Sequence, residues 1–343
     1  MINRDRLWQS HMEMAKIGAT PAGGVCRLAL SDEDKVSRDL FISWAREAGC
    51  TIRIDRVGNI FARRAGTDPS SPPVITGSHL DTQPLGGRFD GAYGVLAGLE
   101  VVRTLNDAGT ETRAPIDIVV WTDEEGCRFS SKTMGSMVFA GKIDEDEVRA
   151  ATDPDGKSFG AELERIGYAG SEACGGFPIK AYFENHIEQG PLLEQEGIPV
   201  GAVVGAQGQR CFLVTVTGEE GHAGTVPMDQ RKDSFLGAAR MADAINRAAF
   251  QFDPPPVATV AHVRVRPNSR NTISGETVFT IDSRYPDADK LLQLEEAMSA
   301  ACKEIADNMG LGIEIARTSI AAPVQFNAGC VDAVRRAAEA RDI

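Results

Sequence analysis

Val74-Ile75-Thr76-Gly77-Ser78-His79-Leu80-Asp81-Thr82 and Ile118-Val119-Val120-Trp121-Thr122-Asp123-Glu124-Glu125-Gly126 are the two stretches whose reading decides the fold. Each starts as a short apolar run rich in β-branched residues, reads as a strand, and passes at once into ionisable side chains. Residues 94–105 between them have helical periodicity, and further apolar runs at 51–54 and 59–62 read as strands. Strands alternating with helices predict an α/β fold with a largely parallel central sheet flanked by helices. In such sheets ligands gather beyond the carboxyl ends of the strands, which makes the residues just after each run the first candidates for chemistry.

Upstream, Asp34 opens a run in which Val36, Leu40, Phe41, Trp44 and Ala48 share one helical face, and Gly49 follows as a stop. Downstream, residues 144–176 are charged, glycine-rich and poor in apolar runs, and read as a surface excursion with one short helix near 161–166. Beyond about residue 205 the order is strand (212–217), helix (234–249), strands (257–265 and 278–281), helix (288–308) and strand (312–316). That order makes a smaller α/β sandwich. The 343 residues therefore divide into a catalytic segment (1–205), an inserted lid or dimerisation domain (206–319) and the start of a returning catalytic segment (320–343). Two domains also agree with a length prior of ~150 residues each.

Composition narrows the partners. A formal charge of −13 opposes the basic face that nucleic acid or an anionic membrane demands. No run approaches the ~20 apolar residues of a spanning helix, and residues 1–10 lack the apolar core of a secretory signal. Seven cysteines, odd in number and never spaced C-x-x-C, argue for neither a disulfide framework nor a thiolate zinc site. These features point to a cytoplasmic enzyme with a small-molecule substrate.

His79, Asp81, Asp90, Glu124, Glu125 and His186 supply the imidazole and carboxylate donors that suit zinc, manganese, cobalt or nickel. A lone loop histidine is usually only a polar surface residue, so it is the joint placement at strand ends that argues for a metal centre. Asp90 lies in Gly86-Gly87-Arg88-Phe89-Asp90-Gly91, where glycines permit a tight turn. Asp81, two residues beyond His79, is placed to accept the second ring N–H and fix the tautomer. Adjacent glutamates at the end of a buried strand are costly to desolvate without a cation, and of Glu124 and Glu125 one can bind metal while the other acts as base.

Four ordered motifs carry a resemblance: residues 76–84 (TGSHLDTQP), 86–95 (GGRFDGAYGV), 121–126 (WTDEEG) and 184–190 (ENHIEQG). Together they resemble the amidase, hydantoinase and carbamoylase family of two-zinc, aminopeptidase-like amidohydrolases. That family includes N-carbamoyl-L-amino-acid hydrolases, beta-ureidopropionases and allantoate amidohydrolases. The resemblance implies two divalent ions, with His79 and His186 on one, Asp90 bridging, Glu125 on the second and Glu124 as base. It implies that His222, in Gly221-His222-Ala223-Gly224-Thr225, stabilises the oxyanion in the active site of a neighbouring subunit, hence a homodimer. Asn271 and Arg284 resemble the residues that grip the substrate carboxylate, and Gln207 resembles a further substrate contact.

The implied reaction is hydrolysis of the carbamoyl C–N bond of an N-carbamoyl amino acid to amino acid, carbon dioxide and ammonia, with allantoate as the alternative substrate. One feature departs from the family pattern. No histidine follows His262, although the family places a further metal histidine in a C-terminal segment. The expectation is that this chain is a truncated product; a non-catalytic metal-binding homologue is the reading from another class. A serine hydrolase is rejected: Gly156-Lys157-Ser158-Phe159-Gly160 fits the nucleophile-elbow spacing, but the stretch before it is turn-like and Ser158 reads as a loop or helix-entry residue.

Overall fold

The computed structural model describes residues 1–129 and 133–343, and these form two compact units, Met1–Gly197 and Ile198–Ile343. The first unit opens with helices α1 (Arg4–Met14) and α2 (Asp32–Glu47), followed by strands β1 (Thr51–Ile54), β2 (Ile60–Arg64) and β3 (Val74–His79). Helix α3 (Ala92–Asp107) leads to β4 (Ile116–Trp121), then come α4 (Met134–Phe139), α5 (Glu145–Ala150), α6 (Phe159–Arg165), β5 (Ala181–Phe183) and α7 (Leu192–Glu196).

The five strands form one mixed sheet in the order β1-β2-β4-β3-β5. Only β4-β3-β5 is parallel; β1, β2 and β4 pair antiparallel, so the sheet is mixed where a largely parallel one was expected. The reason is local. Asp55 accepts the main-chain N–H groups of Val57 and Asn59 at 3.1 and 2.9 Å, closing a turn too short for anything but a hairpin between β1 and β2. Helix α3, by contrast, is a crossover that brings β4 parallel beside β3. It packs so tightly on β3 that a Cβ at Gly94 would lie 2.7 Å from Ser78 Cβ.

Two patterns differ from the sequence reading. Val36 is 51% exposed, and the inner face of α2 carries Phe41, Ile42 and Ala45 together with Asp34, Ser37 and Arg38. A buried ion pair occupies positions that hydrophobic patterning assigns to solvent. Residues 144–176 are also more than a surface excursion: Val148, Phe159, Leu163, Ile166 and Tyr168 all lie in the main core. Their apolar side chains are few but gathered on one side of two short helices. Ser158 caps α6, its hydroxyl accepting from Ala161 N at 3.2 Å.

The second unit contains β6 (Gly205–Ala206), β7 (Gly208–Thr217), β8 (Gly221–His222), α8 (Ser234–Ala249), β9 (Val257–Arg266), β10 (Thr272–Ile273), β11 (Glu276–Tyr285), α9 (Ala288–Met309), β12 (Gly312–Ala321), β13 (Val324–Gln325) and α10 (Ala328–Glu339). Its antiparallel sheet runs β12-β7-β11-β9. Alternate residues of β7 and β11, including Val214, Val216, Phe279 and Ile281, meet Met241, Ile245, Leu294 and Met298 of the two long helices in a separate core. Among the described residues no helix is long and apolar enough to cross a membrane.

Candidate metal centre

His79 is the last residue of β3, Asp90 lies in the turn before α3, and His186 follows β5. The sheet order thus brings residues far apart in sequence to adjacent strand ends. The Nε2 atoms of His79 and His186 lie 4.0 and 3.3 Å from the same oxygen, Asp90 Oδ1. The three potential ligand atoms all fall within 4.8 Å of one another. Each imidazole turns its other nitrogen to a main-chain carbonyl: His79 Nδ1 to Asp81 O at 2.8 Å and His186 Nδ1 to Ile187 O at 2.9 Å. A carbonyl only accepts, so Nδ1 carries the proton in both rings and both Nε2 lone pairs face Asp90.

Gly91 makes this approach feasible. It has φ +63°, and a Cβ there would stand 2.4 Å from His79 Cε1. Any side chain would displace the ring as well as strain the backbone.

Glu124 joins the group, its Oε2 lying 3.6 Å from His79 Nε2. Glu125 falls outside the trio: Oε2 accepts from Gln83 Nε2 at 3.1 Å, and Oε1 is buried with no hydrogen-bond partner among the described residues. Asp81 departs from the expected geometry. Its main-chain oxygen, rather than its carboxylate, holds His79 Nδ1, while the carboxylate oxygens accept the main-chain N–H groups of Glu124 and Glu125 at 3.3 and 3.1 Å. The carboxylate is drawn there because two amide donors at the end of β4 would otherwise be buried unpaired.

The electrostatics favour a cation. Burial works to lower the His79 pKa, but the charges of Asp81 and Glu124 outweigh it and leave it raised. Desolvation raises the Glu124 pKa, opposed by His79 and reinforced by Asp81 and Glu125. An acidic field, two aimed imidazole lone pairs and an orphaned buried oxygen on Glu125 together fit a divalent ion.

Three contributors escaped the sequence reading although they lie inside or beside the quoted motifs. Gln189 donates to Asp90 Oδ2 at 2.6 Å, Gln83 engages Glu125, and Glu184 accepts from Ser78 Oγ at 2.5 Å and from the Tyr182 hydroxyl. The two glutamine amides carry no ligand signal, so only their position within the motifs could have marked them.

In the second unit, pairing of β8 with β10 sets Thr272 opposite His222, and Ala223 N donates to Asn271 O at 2.8 Å. His222 and Asn271 are therefore neighbours. Gln207 is exposed just ahead of β7, and Arg284 lies opposite Gln209 near the start of that strand. Arg284 engages Asp282 through Nε at 3.1 Å and Nη2 at 2.9 Å. Nearly the full ten residues of β7 separate Arg284 from the His222 end, roughly 25–30 Å at ~3.3 Å per residue.

Convergence of imidazole and carboxylate donors at the strand ends of an α/β sheet defines a metal-dependent hydrolase. Comparison with known proteins agrees. Residues 75–342 match the model of peptidase family M20/M25/M40. An N-carbamoyl-L-amino-acid amidohydrolase of Rhizobium meliloti is 46% identical over 98% of this chain and 81% of its own length. An allantoate amidohydrolase of Escherichia coli is 35% identical over 92% of this chain and 77% of its own length. A crystal structure of an amidase of the hydantoinase/carbamoylase family from Burkholderia multivorans superposes with a TM-score of 0.92 at 52% identity, covering 99% of this chain and 83% of the other. The chain belongs to the M20/M25/M40 peptidase family, in its hydantoinase and carbamoylase branch of amidohydrolases.

Proposed function

We propose that the protein hydrolyses the carbamoyl C–N bond of N-carbamoyl amino acids to amino acid, carbon dioxide and ammonia, using two divalent ions, zinc foremost. The observation that carries this reading is the pair of Nε2 atoms on Asp90 Oδ1 with Glu124 3.6 Å from the same His79 nitrogen, in a chain 46% identical to a carbamoylase. His79, Asp90 and His186 would hold one ion, and Asp90 and Glu125 the other. Bound there, the ions supply Lewis acidity and lower the pKa of water toward neutrality.

Glu124 takes the proton of the attacking water and returns it to the departing nitrogen. Desolvation raises its pKa above the usual carboxylate value, which favours a group that must hold a proton between taking and returning it. His222 donates to the oxygen that gains charge. Arg284 offers a two-pronged grip on the substrate carboxylate, with Asn271 and Gln207 adding amide donors. Arg284 and the His222–Asn271 pair stand at opposite ends of β7, which supports a homodimer in which the two meet a substrate from different copies. Seven scattered cysteines, odd in number and never spaced C-x-x-C, support a reducing, cytoplasmic setting.

The relative from Escherichia coli favours a second reading, allantoate as substrate. Ammonia release from N-carbamoyl-L-amino acids, N-carbamoyl-β-alanine and allantoate, measured side by side with and without added metal, decides among them. Turnover of none of the three by metal-loaded protein would leave only a non-catalytic binding role.

A further inference from the structure

Beneath the metal turn lies a layer of charge that the reaction does not touch. Arg27, Asp34 and Arg38 are each 0% exposed. Burying a guanidinium is expensive, so its hydrogen bonds must secure something a neutral side chain cannot. Arg27 Nε donates to Leu80 O at 3.0 Å and Nη1 to Ile17 O at 3.1 Å. Its main chain grips the same turn twice: Arg27 N donates to Thr82 Oγ1 at 2.8 Å, and Thr82 N to Arg27 O at 2.8 Å. Leu80 is the residue between His79 and Asp81, so one residue clamps the turn that presents the first imidazole.

Arg38 does the corresponding work one strand away. Its Nε pairs with Asp34 Oδ2 at 2.9 Å, Nη1 donates to Gly58 O at 2.8 Å and Nη2 to Thr122 Oγ1 at 3.3 Å. Thr122 opens the turn that carries Glu124 and Glu125. Asp34 also accepts Leu30 N at 2.9 Å, which ties the start of α2 to this charge pair, and its field reaches Arg27 as well.

We infer that Arg27 and Arg38 are positioning residues for the metal centre: Arg27 sets the main chain at His79 through Leu80 and Thr82, Arg38 sets the Glu124–Glu125 turn through Thr122, and Asp34 is their shared counter-charge. The inference rests on the metal reading proposed above. A lysine at position 27 has one compact ammonium and cannot reproduce the planar fork that spans Ile17 O and Leu80 O.

The test is cobalt(II) titration of the full chain, followed by visible d–d absorption and by chelator competition, for the unaltered protein, Arg27→Lys, Arg38→Lys and Val102→Ala. Val102, fully buried on α3, supplies a variant destabilised without a change near the turn. Arg27→Lys and Arg38→Lys are expected to weaken cobalt binding about tenfold or more and to alter the d–d bands, while Val102→Ala keeps both. Should Arg27→Lys not fold, Thr82→Val removes the acceptor of Arg27 N, together with the hydroxyl's bond to Gln83 O, and reads the same clamp. Unchanged affinity and spectrum in the position 27 or 82 variants and in Arg38→Lys overturn the positioning role alone. Failure of the unaltered protein to bind cobalt overturns the metal reading and this inference with it.

Discussion

Asp81 serves two strands at once: its carbonyl oxygen holds His79 Nδ1 at 2.8 Å, and its carboxylate accepts the main-chain N–H of Glu125 at 3.1 Å. The main-chain bond sets the imidazole tautomer, and the side-chain bonds aim the acidic pair. These tasks can be separated experimentally. Asp81→Asn keeps the carbonyl and one acceptor but turns an NH2 toward a backbone N–H. Metal affinity is expected to fall about tenfold, as is usual for a lost supporting bond, and His79 should keep its tautomer. Chelator competition measures the first, and the nitrogen shifts of labelled histidine measure the second. An Asp81→Asn protein with unchanged affinity would show that the carboxylate does not aim the pair.

Gly91→Ala tests the closest approach in the site. A Cβ at this position meets His79 Cε1 at 2.4 Å, and the φ of +63° disfavours any L side chain. The backbone strain alone is about 1–2 kcal/mol, which the unit's core can absorb. The expected outcome is a folded protein, normal by far-ultraviolet circular dichroism, that retains little metal by elemental analysis. Full metal content would mean the ring can move aside at no cost.

Much of this architecture was legible from the residues, and the exceptions have physical causes. The strand ends at His79 and Trp121 could be read because apolar runs break directly into charge. The inner face of α2 could not, since Asp34 and Arg38 neutralise each other and bury as a pair where periodicity marks only Phe41 and its apolar neighbours. Asp81 was read as the side-chain partner of His79, yet its carbonyl takes that bond while its carboxylate turns to the Glu124–Glu125 main chain, and spacing alone does not say which atom of a residue does the bonding. Arg27 passed unnoticed: an isolated arginine in an apolar stretch carries no periodic signal, and its partners are main-chain oxygens.

The pH dependence of stability has an identifiable source in His11. The ring is 4% exposed, packed edge-on against Phe89 at 5.4 Å, and neither nitrogen has a hydrogen-bond partner among the described residues. Desolvation lowers its pKa to about 4 from an ordinary 6.5. The folded state thus resists a proton that the unfolded chain accepts. Stability from this group is complete above pH ~6.5 and is lost as pH falls toward ~4, on the order of 3 kcal/mol at ~1.4 kcal/mol per unit. His11→Phe removes the titrating group while keeping an aromatic ring, so its urea midpoint should drop less between pH 7 and pH 4.5 than that of the unaltered protein. Parallel midpoints over that range would rule out His11 as the source.

Glu124→Gln separates proton transfer from metal binding. The amide is nearly isosteric but cannot accept the proton, and general-base catalysis is typically worth 10²- to 10⁴-fold. A fall in kcat of about that size is expected, with KM and metal content little altered. Because desolvation raises the Glu124 pKa, the acid limb of kcat/KM should lie above the usual carboxylate range, and it should be absent from the residual activity of the variant. Loss of metal in parallel with activity would instead make Glu124 a ligand.

The separation of Arg284 from His222 along β7 leads to a complementation test. If one substrate meets His222 and Asn271 from one copy and Arg284 from the other, His222→Ala and Arg284→Ala are each inactive alone. A mixed dimer of the two has one site that receives both defects and one that receives neither. When the variants are unfolded and refolded together in equal amounts, half of the dimers are mixed and carry one intact site, so about a quarter of the unaltered activity should return. Arg284 must also leave Asp282, which holds it at 2.9 Å, before it can grip a carboxylate. Asp282→Asn weakens that competitor and should lower KM while leaving kcat in place. No recovery in the mixture would place all of these residues at the site of a single chain, a result that the length of β7 makes hard to satisfy.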